Sequence, residues 1–495
     1  MLEQAEPERV KQYIWIASIA LLVIAGIKLL SIGSRPKDLP PGPPTLPVIG
    51  NLHQLPKKNI HVTYQKWAKE YGPMFSLKLG DSTTVVLADG YVIRELVDLR
   101  GGNYAHRPNL WVRELFDDSR IIMRGYDDLW KLERKMYHAS LNINVAKRYL
   151  PYQELEFLQM IHDTIQKPDD FVDHIGRATG SFAASMTYGF RLPDKDSDLT
   201  HEMLHNSHGF FTCVMKSQLF DYYPFLRNVL KLFPQSWNPL AKEALQAYES
   251  ERNVFAKSWK VAQEGSLPCF AKDIAQAREK AVAAGDEGLF TEHAAQYIAG
   301  ISFEGGADTT RYTLHGLYKA LTMFPDAQRK GQAEIDTICD AETFPMGHHI
   351  KDFRYINQIA KENIRWMPTA INGAIPHAAL KEDHYRGFRI PQGANIVLAV
   401  WSANNDDKDF PNARDFIPER HPAESSLFES MHVATNTLLL AIARILWAFD
   451  ITYAKDENGN EIPIERDAFV GGLAAAPAPF KHVVQSTPIG REQSG

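Results

Sequence analysis

The chain has 495 residues, of which 44% are hydrophobic and 23% charged, so it can bury a large globular core. Its formal net charge of −6 argues against nucleic acid as a partner. Its three scattered cysteines exclude a disulfide framework and a Cys-x-x-Cys metal site, and they suit a reducing, cytosol-facing environment: Cys213, Cys269 and Cys339.

The first predicted element is a membrane helix. Residues 13–30 are almost wholly apolar, and about 20 such residues cross a bilayer. A cleaved signal peptide or a buried helix is the alternative, but the run is long for a signal core and no clear cleavage site follows it. We therefore expect residues 1–12 to be a tail and residues 13–32 to be a transmembrane anchor.

Basic and proline-rich residues follow the anchor. Arg35 and Lys37 come directly after the helix, which places the bulk of the chain in the cytosol by the positive-inside tendency. Residues 33–51 contain clustered prolines, which favour a stiff, extended segment. This segment is either a hinge that holds the body at a fixed offset from the bilayer or a plain linker.

The body begins with recognisable local patterns. Residues 61–71 predict an amphipathic helix, and the alternating run over residues 74–90 predicts a hairpin with its turn at Gly80 and Asp81. Residues 209–233 are rich in aromatic side chains, for which a buried core is the default interpretation.

A possible anion site lies in the segment DDLWKLER. Trp130 and Arg134 are four residues apart, so they share one face of the predicted helix. A guanidinium beside an indole N–H can hold a carboxylate. A surface arginine packed on a tryptophan is a common alternative.

The longest helical pattern passes through ISFEGGADTT at residues 301–310. Gly305 and Gly306 each cost about 1 kcal/mol in a helix, so we expect a close backbone approach or a local unwinding there. Asp308 and Thr309 predict a proton relay, in which the carboxylate collects protons and the hydroxyl orients a bound water or oxygen. A kinked core helix with a solvated polar patch is the alternative.

A second constellation follows the long helix. Glu362 and Arg365 are three residues apart and can form a bidentate ion pair, which needs a further polar partner if it is buried. Arg420 in FIPER is the candidate for that partner. Between these motifs, residues 373–380 and 387–404 predict strands of a small β-region, which contains His377.

In this order the motifs resemble those of the cytochrome P-450 monooxygenases, the haem-thiolate oxygenases. GGADTT matches the signature of their long central helix, and the Glu-x-x-Arg and FIPER segments match their core triad. The resemblance covers nearly the whole chain. It implies a mainly α fold with a small β-subdomain, preceded by one N-terminal transmembrane helix. Residues 52–495 would then be the haem-thiolate monooxygenase-like catalytic domain.

The resemblance also implies roles for the candidate residues. The proton relay would be Asp308 and Thr309. The residues that hold the propionates of heme b would be Trp130, Arg134 and His377. The structural triad would be Glu362, Arg365 and Arg420. Electrons would come from NADPH through a membrane reductase.

The chain departs from the family at its defining element. Relatives have a Phe-x-x-Gly-x-x-x-Cys-x-Gly loop whose thiolate ligates the iron. Here only residues 421–430 separate Arg420 from Met431, and Phe428 occupies the expected position of the cysteine, so no metal ligand is assigned. His432 is a poor substitute, because it is not a ligand in relatives. Either an exon was skipped in a predicted gene or the loss is genuine, and the intact relay, triad and propionate positions favour the skipped exon or a very recent loss.

The closest likeness is to membrane-anchored members from filamentous fungi that tailor secondary metabolites. It implies a monooxygenase of an apolar small molecule, held in the endoplasmic reticulum membrane by a single span with its catalytic domain facing the cytosol. Because the cysteine loop is missing, a catalytically inactive, haem-free pseudoenzyme or binding protein is the alternative. A histidine-ligated haem protein is a more distant one.

Overall fold

The computed structural model describes residues 5–234, 237–285, 288–339, 343–424, 427, 431–471 and 473–487. Over these ranges the protein is mainly α-helical. The helices are α1 (Ala5–Ser31), α2 (Ile60–Tyr71), α3 (Gly90–Ile93), α4 (Gly101–Tyr104), α5 (Trp111–Leu115), α6 (Asp128–Leu141), α7 (Ile143–Ala146), α8 (Leu150–Gln166), α9 (Phe171–Tyr188), α10 (Asp198–Tyr222), α11 (Phe225–Leu230), α12 (Pro239–Glu264), α13 (Phe270–Ala283), α14 (Glu292–Met323), α15 (Pro325–Ile338), α16 (Tyr355–Trp366), α17 (Val400–Asn404) and α18 (His432–Ala448).

The strands are short, and they form one four-stranded sheet and three two-stranded pairs among the described residues. They are β1 (Met74–Leu79), β2 (Ser82–Leu87), β3 (His377–Ala378), β4 (Asp383–Tyr385), β5 (Phe388–Ile390), β6 (Asn395–Leu398), β7 (Phe449–Tyr453), β8 (Phe469–Gly471), β9 (Ala475–Pro477) and β10 (His482–Ser486).

The chain divides into two compact units, and the first contains the four-stranded sheet. This unit comprises residues 1–111, 218–234 and 376–402. The strand order is β1-β2-β6-β3, with β1 and β2 antiparallel and β2 and β6 parallel. The β1–β2 turn contains Gly80 at a φ of +60°, a conformation that glycine adopts without a steric cost.

Both faces of this sheet are buried. Phe75 and Leu77 pack in a cluster with Tyr64 of α2, whereas the alternate residues Met74 and Val85 pack in a cluster with other residues of the same unit. Successive side chains of a strand point to opposite faces, so a strand covered on both sides reads as a nearly continuous apolar run.

The proline-rich segment packs against β1 within the first unit. The backbone N–H of Ser76 donates to the Pro41 carbonyl at 2.8 Å, and Arg35 donates to the carbonyls of Pro43 and Gly42 at 2.9 and 2.6 Å. A Cβ atom at Gly42 would lie 2.1 Å from the Ser76 carbonyl oxygen, so the close backbone approach requires glycine. The segment is thus held by specific hydrogen bonds.

The second unit comprises residues 112–217, 235–375 and 403–495 and is built around α14. This helix packs against α9, α12, α13, α16 and α18. The main apolar cluster of the unit combines residues from α8, α9, α14, α15, α16 and α18, and its fully buried members include Phe157, Leu317, Trp366 and Ile445. The long central helix is therefore the core element of this unit.

The first helix agrees with the predicted anchor. Its stretch Tyr13–Ser31 has a mean hydropathy of 2.2, and the side chains described there are not buried. By length and composition it can cross a membrane.

Most local predictions are confirmed, including the helix now bounded as α2, the β1–β2 hairpin and the long α14. One is wrong, because the end of the strand-like run forms the short helix Val400–Asn404. At its two glycines α14 is continuous, so of the two alternatives the unwinding does not occur, whereas Gly306 packs against Ala183 of α9. The aromatic segment at residues 209–233 is only partly core, because Phe210 is buried while Phe225 and Phe233 are exposed.

Candidate active site

The middle of α14 has one open face. The helix is mostly buried on either side of this point, yet Gly305 and Thr309, one turn apart, are exposed. A Cβ atom added at Gly305 would meet nothing within 4 Å, whereas one at Gly306 would touch Ala183 of α9 at 3.4 Å. The glycine pair therefore packs on one side and leaves the other side accessible to a ligand.

The acid and the hydroxyl predicted as a relay lie at this open face. Thr309 Oγ1 donates a hydrogen bond to the Gly305 carbonyl at 2.7 Å, so its lone pairs remain able to accept another. Asp308 is half-buried, and burial together with the charge of Asp308 raises the pKa of Glu304 on the preceding turn. A half-exposed carboxylate beside an exposed hydroxyl can move a proton between solvent and a bound group.

Trp130 and Arg134, the predicted anion site, both lie on α6, and the exposed Arg134 beside the Trp130 ring also matches the alternative of a surface arginine packed on a tryptophan. Asp127 caps the helix by accepting a hydrogen bond from the Trp130 backbone N–H at 2.8 Å. The Arg134 guanidinium carbon lies 5.8 Å from the centre of the Trp130 ring. Within the described ranges Arg134 makes no ion pair, so its donors are available to a carboxylate.

His377 belongs to the first unit, whereas Trp130 and Arg134 belong to the second. Its Nδ1 lies 2.8 Å from the Tyr104 carbonyl oxygen, to which a neutral imidazole donates. Burial and the nearby positive charge of Arg107 lower the pKa of His377 to about 4.

Arg107 is a residue that the sequence reasoning missed. It donates to the carbonyl of Pro376, the residue before His377, at 3.2 Å, and burial lowers the pKa of its guanidinium to about 10. A half-buried cation beside a half-buried imidazole is an environment that favours an anion. Its position before a proline in YAHRP was the only sequence signal.

The three residues of the predicted triad are joined by hydrogen bonds in the second unit. Arg365 binds Glu362 through two hydrogen bonds of 2.8 and 2.7 Å, and Arg420 Nε donates to Glu362 Oε1 at 3.1 Å. The backbone N–H of Ile417 donates to the same oxygen at 2.9 Å. The Glu362 side chain is fully buried, so these donors replace water.

The sequence reasoning missed His421 as a further partner of this carboxylate. Its Nε2 lies 2.9 Å from Glu362 Oε2. Burial alone would raise the pKa of Glu362, but hydrogen bonds from Arg365 and His421 outweigh that effect and lower it. The only signal in the sequence was that His421 follows Arg420 directly.

The cysteines do not supply a thiolate at the expected place. All three are buried, in α10, before α13 and after α15. Burial raises the pKa of Cys213 to about 11 and that of Cys269 above its usual range, so both are neutral thiols. Phe428, which we assign to the position of the missing ligand, lies outside the described residues.

The site therefore fits haem in part. The open face of α14 leaves space beside Gly305, and the guanidinium of Arg134 beside Trp130 can hold a carboxylate such as a haem propionate. The chemistry of the iron ligand does not fit, because the sequence has no cysteine between Arg420 and Met431.

Comparison with known proteins decides the family. The sequence model of cytochrome P-450 matches residues 40–436. The chain belongs to the cytochrome P-450 family. It is an oxidoreductase family, and its members carry haem.

Three relatives that match most of the chain are fungal proteins. Cytochrome P-450 monooxygenase virE of Hypocrea virens is 34% identical, over 94% of this chain and 89% of that protein. Cytochrome P-450 monooxygenase fsoB of Humicola fuscoatra is 37% identical, over 94% of this chain and 90% of that protein. Cytochrome P-450 monooxygenase fogE of Aspergillus ruber is 36% identical, over 89% of this chain and 86% of that protein.

Proposed function

We propose that this protein is a haem-dependent monooxygenase that oxidises an apolar small molecule, in a tailoring step of fungal secondary metabolism. The observation that supports this most directly is the open face of α14, where Thr309 and Gly305 are exposed within a mostly buried helix. The relatives named as monooxygenases add support over nearly the whole chain.

Haem would supply the oxygen chemistry, and the protein would bind it, orient the substrate and move protons. Trp130 and Arg134 would donate to one propionate, and His377, with Arg107 beside it, would contact another. The thiolate would come from a longer connection between Arg420 and Met431, in a form of the protein that retains the loop.

Asp308 and Thr309 would form the proton relay. Asp308 would exchange protons with solvent, because its carboxylate is half-buried. Thr309 Oγ1 now donates to the Gly305 carbonyl, and a rotation about χ1 would turn that O–H toward a bound group. Glu362, Arg365 and Arg420 would keep a structural role, since their charges satisfy one another.

The substrate and the redox partner would both be reached at the membrane. The first unit contains the candidate anchor and also exposes large apolar side chains on its segment 218–234: Leu219, Phe225, Val229, Leu232 and Phe233. Exposed apolar residues in the same unit as a candidate membrane anchor suit contact with lipid. We therefore place residues 52–495 as the catalytic domain on the cytosolic side of the endoplasmic reticulum, where an NADPH-dependent reductase would supply electrons.

The deciding experiment is to sequence the native transcript across the codons for Arg420 to Met431 and to express the form it encodes. A message with extra residues that contain the cysteine loop, and a thiolate Soret band from the reduced, carbon-monoxide-treated protein, would support the monooxygenase. A message that matches this chain, with no such band, would refute it. The haem-free binding protein would then be the function to test, by searching for a bound metabolite.

A further inference from the structure

A buried charged cluster lies one turn from the relay. The guanidinium of Arg120 forms ion pairs with two carboxylates, Glu251 of α12 and Glu304 of α14. The exposed fractions of the three side chains are 3%, 1% and 8%. Glu251 and Glu304 are 131 and 184 positions from Arg120 in the chain, so only the tertiary fold brings the three residues together.

The charges in this cluster do not balance when both acids are ionised. Arg120 is the only cation that pairs with either carboxylate in the described part of the chain. Arg120 Nε and Glu304 Oε1 are buried and have no hydrogen-bond partner there, and Glu251 has only the neutral Tyr297 hydroxyl as a further neighbour. An uncompensated negative charge at such a site is costly, and binding one proton removes it.

The groups around the cluster favour that proton. Burial raises the pKa of Glu251 to about 7, and burial together with the charge of Asp308 raises that of Glu304. The other titratable groups that interact with these carboxyls are tyrosines on three helices, and burial keeps them neutral: Tyr137 of α6, Tyr188 of α9 and Tyr297 of α14.

We propose that the Arg120–Glu251–Glu304 cluster stores one proton and passes it to Asp308, the acid one turn farther along α14. In this step the Glu304 carboxyl gives its proton to the Asp308 carboxylate, and the cluster is left with one unit of negative charge until solvent returns a proton. The transfer to Asp308 rests on the proposed function of that residue in the proton relay, whereas the stored proton does not.

A purely structural salt bridge would need only one carboxylate. Replacing one glutamate by glutamine should then leave a neutral pair, Arg120 with the remaining carboxylate. Such a variant keeps a side chain of the same size that can still accept a hydrogen bond, so we expect it to fold.

The stored proton can be observed without iron. Infrared spectra of the detergent-solubilised full chain near pH 6 should show the carbonyl stretch of a protonated carboxyl that disappears in Glu304→Gln and in Glu251→Gln. The control Glu292→Gln removes an exposed acid of the same helix and should leave that band unchanged. If neither cluster variant loses intensity, both acids are ionised and the proposal is wrong; should Glu304→Gln fail to fold, Glu251→Gln decides alone.

The link to Asp308 has its own readout. Asp308→Asn removes the nearby charge that favours protonation of Glu304, so the pH at which the band titrates should fall. If the band titrates at the same pH in Asp308→Asn as in the parent, the transfer to Asp308 is wrong, but the stored proton in the cluster still stands. Because both measurements use the chain without iron, a failed oxygenase assay would refute the proposed function and not this inference.

Discussion

His421 Nε2 lies 2.9 Å from Glu362 Oε2, so the buried carboxylate of the triad has a fourth neighbouring donor besides Arg365, Arg420 and the Ile417 backbone. This contact fixes the chain at the first residue after FIPER. The connection in which relatives carry the thiolate therefore starts from a rigid, charge-satisfied point in the core.

Removing the charge at the centre of the triad should strongly destabilise the protein. In Glu362→Gln, two guanidiniums would lose the carboxylate that compensates their charge and His421 would lose its carboxylate partner, and breaking a buried pair costs about 3–5 kcal/mol. The free energy of unfolding by urea measures this. The matched control is Glu419→Gln, because Glu419 is 43% exposed and its pair with Lys330 should contribute less than about 1 kcal/mol. Equal losses in the two variants would contradict the structural role of the triad.

Glu133 should make the stability depend on pH near neutrality. Burial raises its pKa to about 7, despite Arg124 Nε at 3.2 Å, whereas an unfolded glutamate has a pKa of about 4.3. The stabilisation that this bound proton contributes is complete below about pH 4.3 and is lost as the pH rises to about 7. Between these values the free energy of unfolding falls by up to about 1.4 kcal/mol per pH unit.

Glu133→Gln should therefore flatten the decline in unfolding free energy between about pH 4.3 and 7, and it should be more stable than the parent at and above the upper end. Urea unfolding at several pH values tests this. Glu249→Gln, at an exposed acid on α12, should follow the parent curve. A parallel decline in Glu133→Gln would show that its carboxyl is ionised throughout.

Thr309→Ala should separate NADPH consumption from product formation in the form of the protein that binds haem. It removes the hydroxyl that now bonds to the Gly305 carbonyl, and a positioned proton donor contributes about 10²-fold or more to the rate. Thr309→Ser should retain much of the coupling, and Thr310→Ala should retain nearly all of it. Product per NADPH at the parental value in Thr309→Ala would exclude the relay.

The apolar residues of segment 218–234 should bind lipid without the anchor. A variant lacking residues 1–31 should still sediment partly with phospholipid vesicles, and adding Leu232→Glu and Phe233→Glu should release it, since both side chains are exposed by more than half. Leu155→Glu and Leu158→Glu change two exposed leucines of α8 and serve as the control. Equal release by both pairs would mean that binding is not specific to this segment.

Gly42→Ala should destabilise the first unit by roughly 1–3 kcal/mol. The added methyl would lie 2.1 Å from the Ser76 carbonyl oxygen, and backbone cannot move aside as cheaply as a side chain. Gly102→Ala is the control, because nothing lies within 4 Å of its Cβ position. Thermal unfolding of the two variants compares them, and similar melting temperatures would argue against the packed proline segment.

Local patterns in the sequence were sufficient for much of this fold. The period of the apolar residues predicts α2 and α14, and the Gly80–Asp81 turn predicts the hairpin, because each signal depends on neighbours in the chain. The run at Val400–Asn404 was misread as strand, since a short apolar segment with valine and tryptophan suits either state. The glycines of α14 did not unwind it, because tertiary packing on α9 outweighs a cost of about 1 kcal/mol each.

Contacts between distant segments could not be predicted in the same way. The triad was found only because its spacing resembles that of a known family. Arg120 and Glu304 have no local pattern that marks them, and they meet across 184 positions of the chain. The burial of Arg444 could not be predicted either. This arginine lies within an apolar helix, and its Nε donates to the Pro345 carbonyl at 2.9 Å.

The parallel pair β2–β6 has a consequence for how the protein is made. Thr84 and Asn395 are neighbours in that sheet but are 311 positions apart in the chain. At a synthesis rate of about 5–20 residues per second, the ribosome needs roughly 15–60 s to deliver the second strand after the first. During that interval the hairpin β1–β2 exposes an unpaired apolar edge. The emerging polypeptide should therefore need a chaperone until translation passes residue 398, and slowing elongation should increase its aggregation.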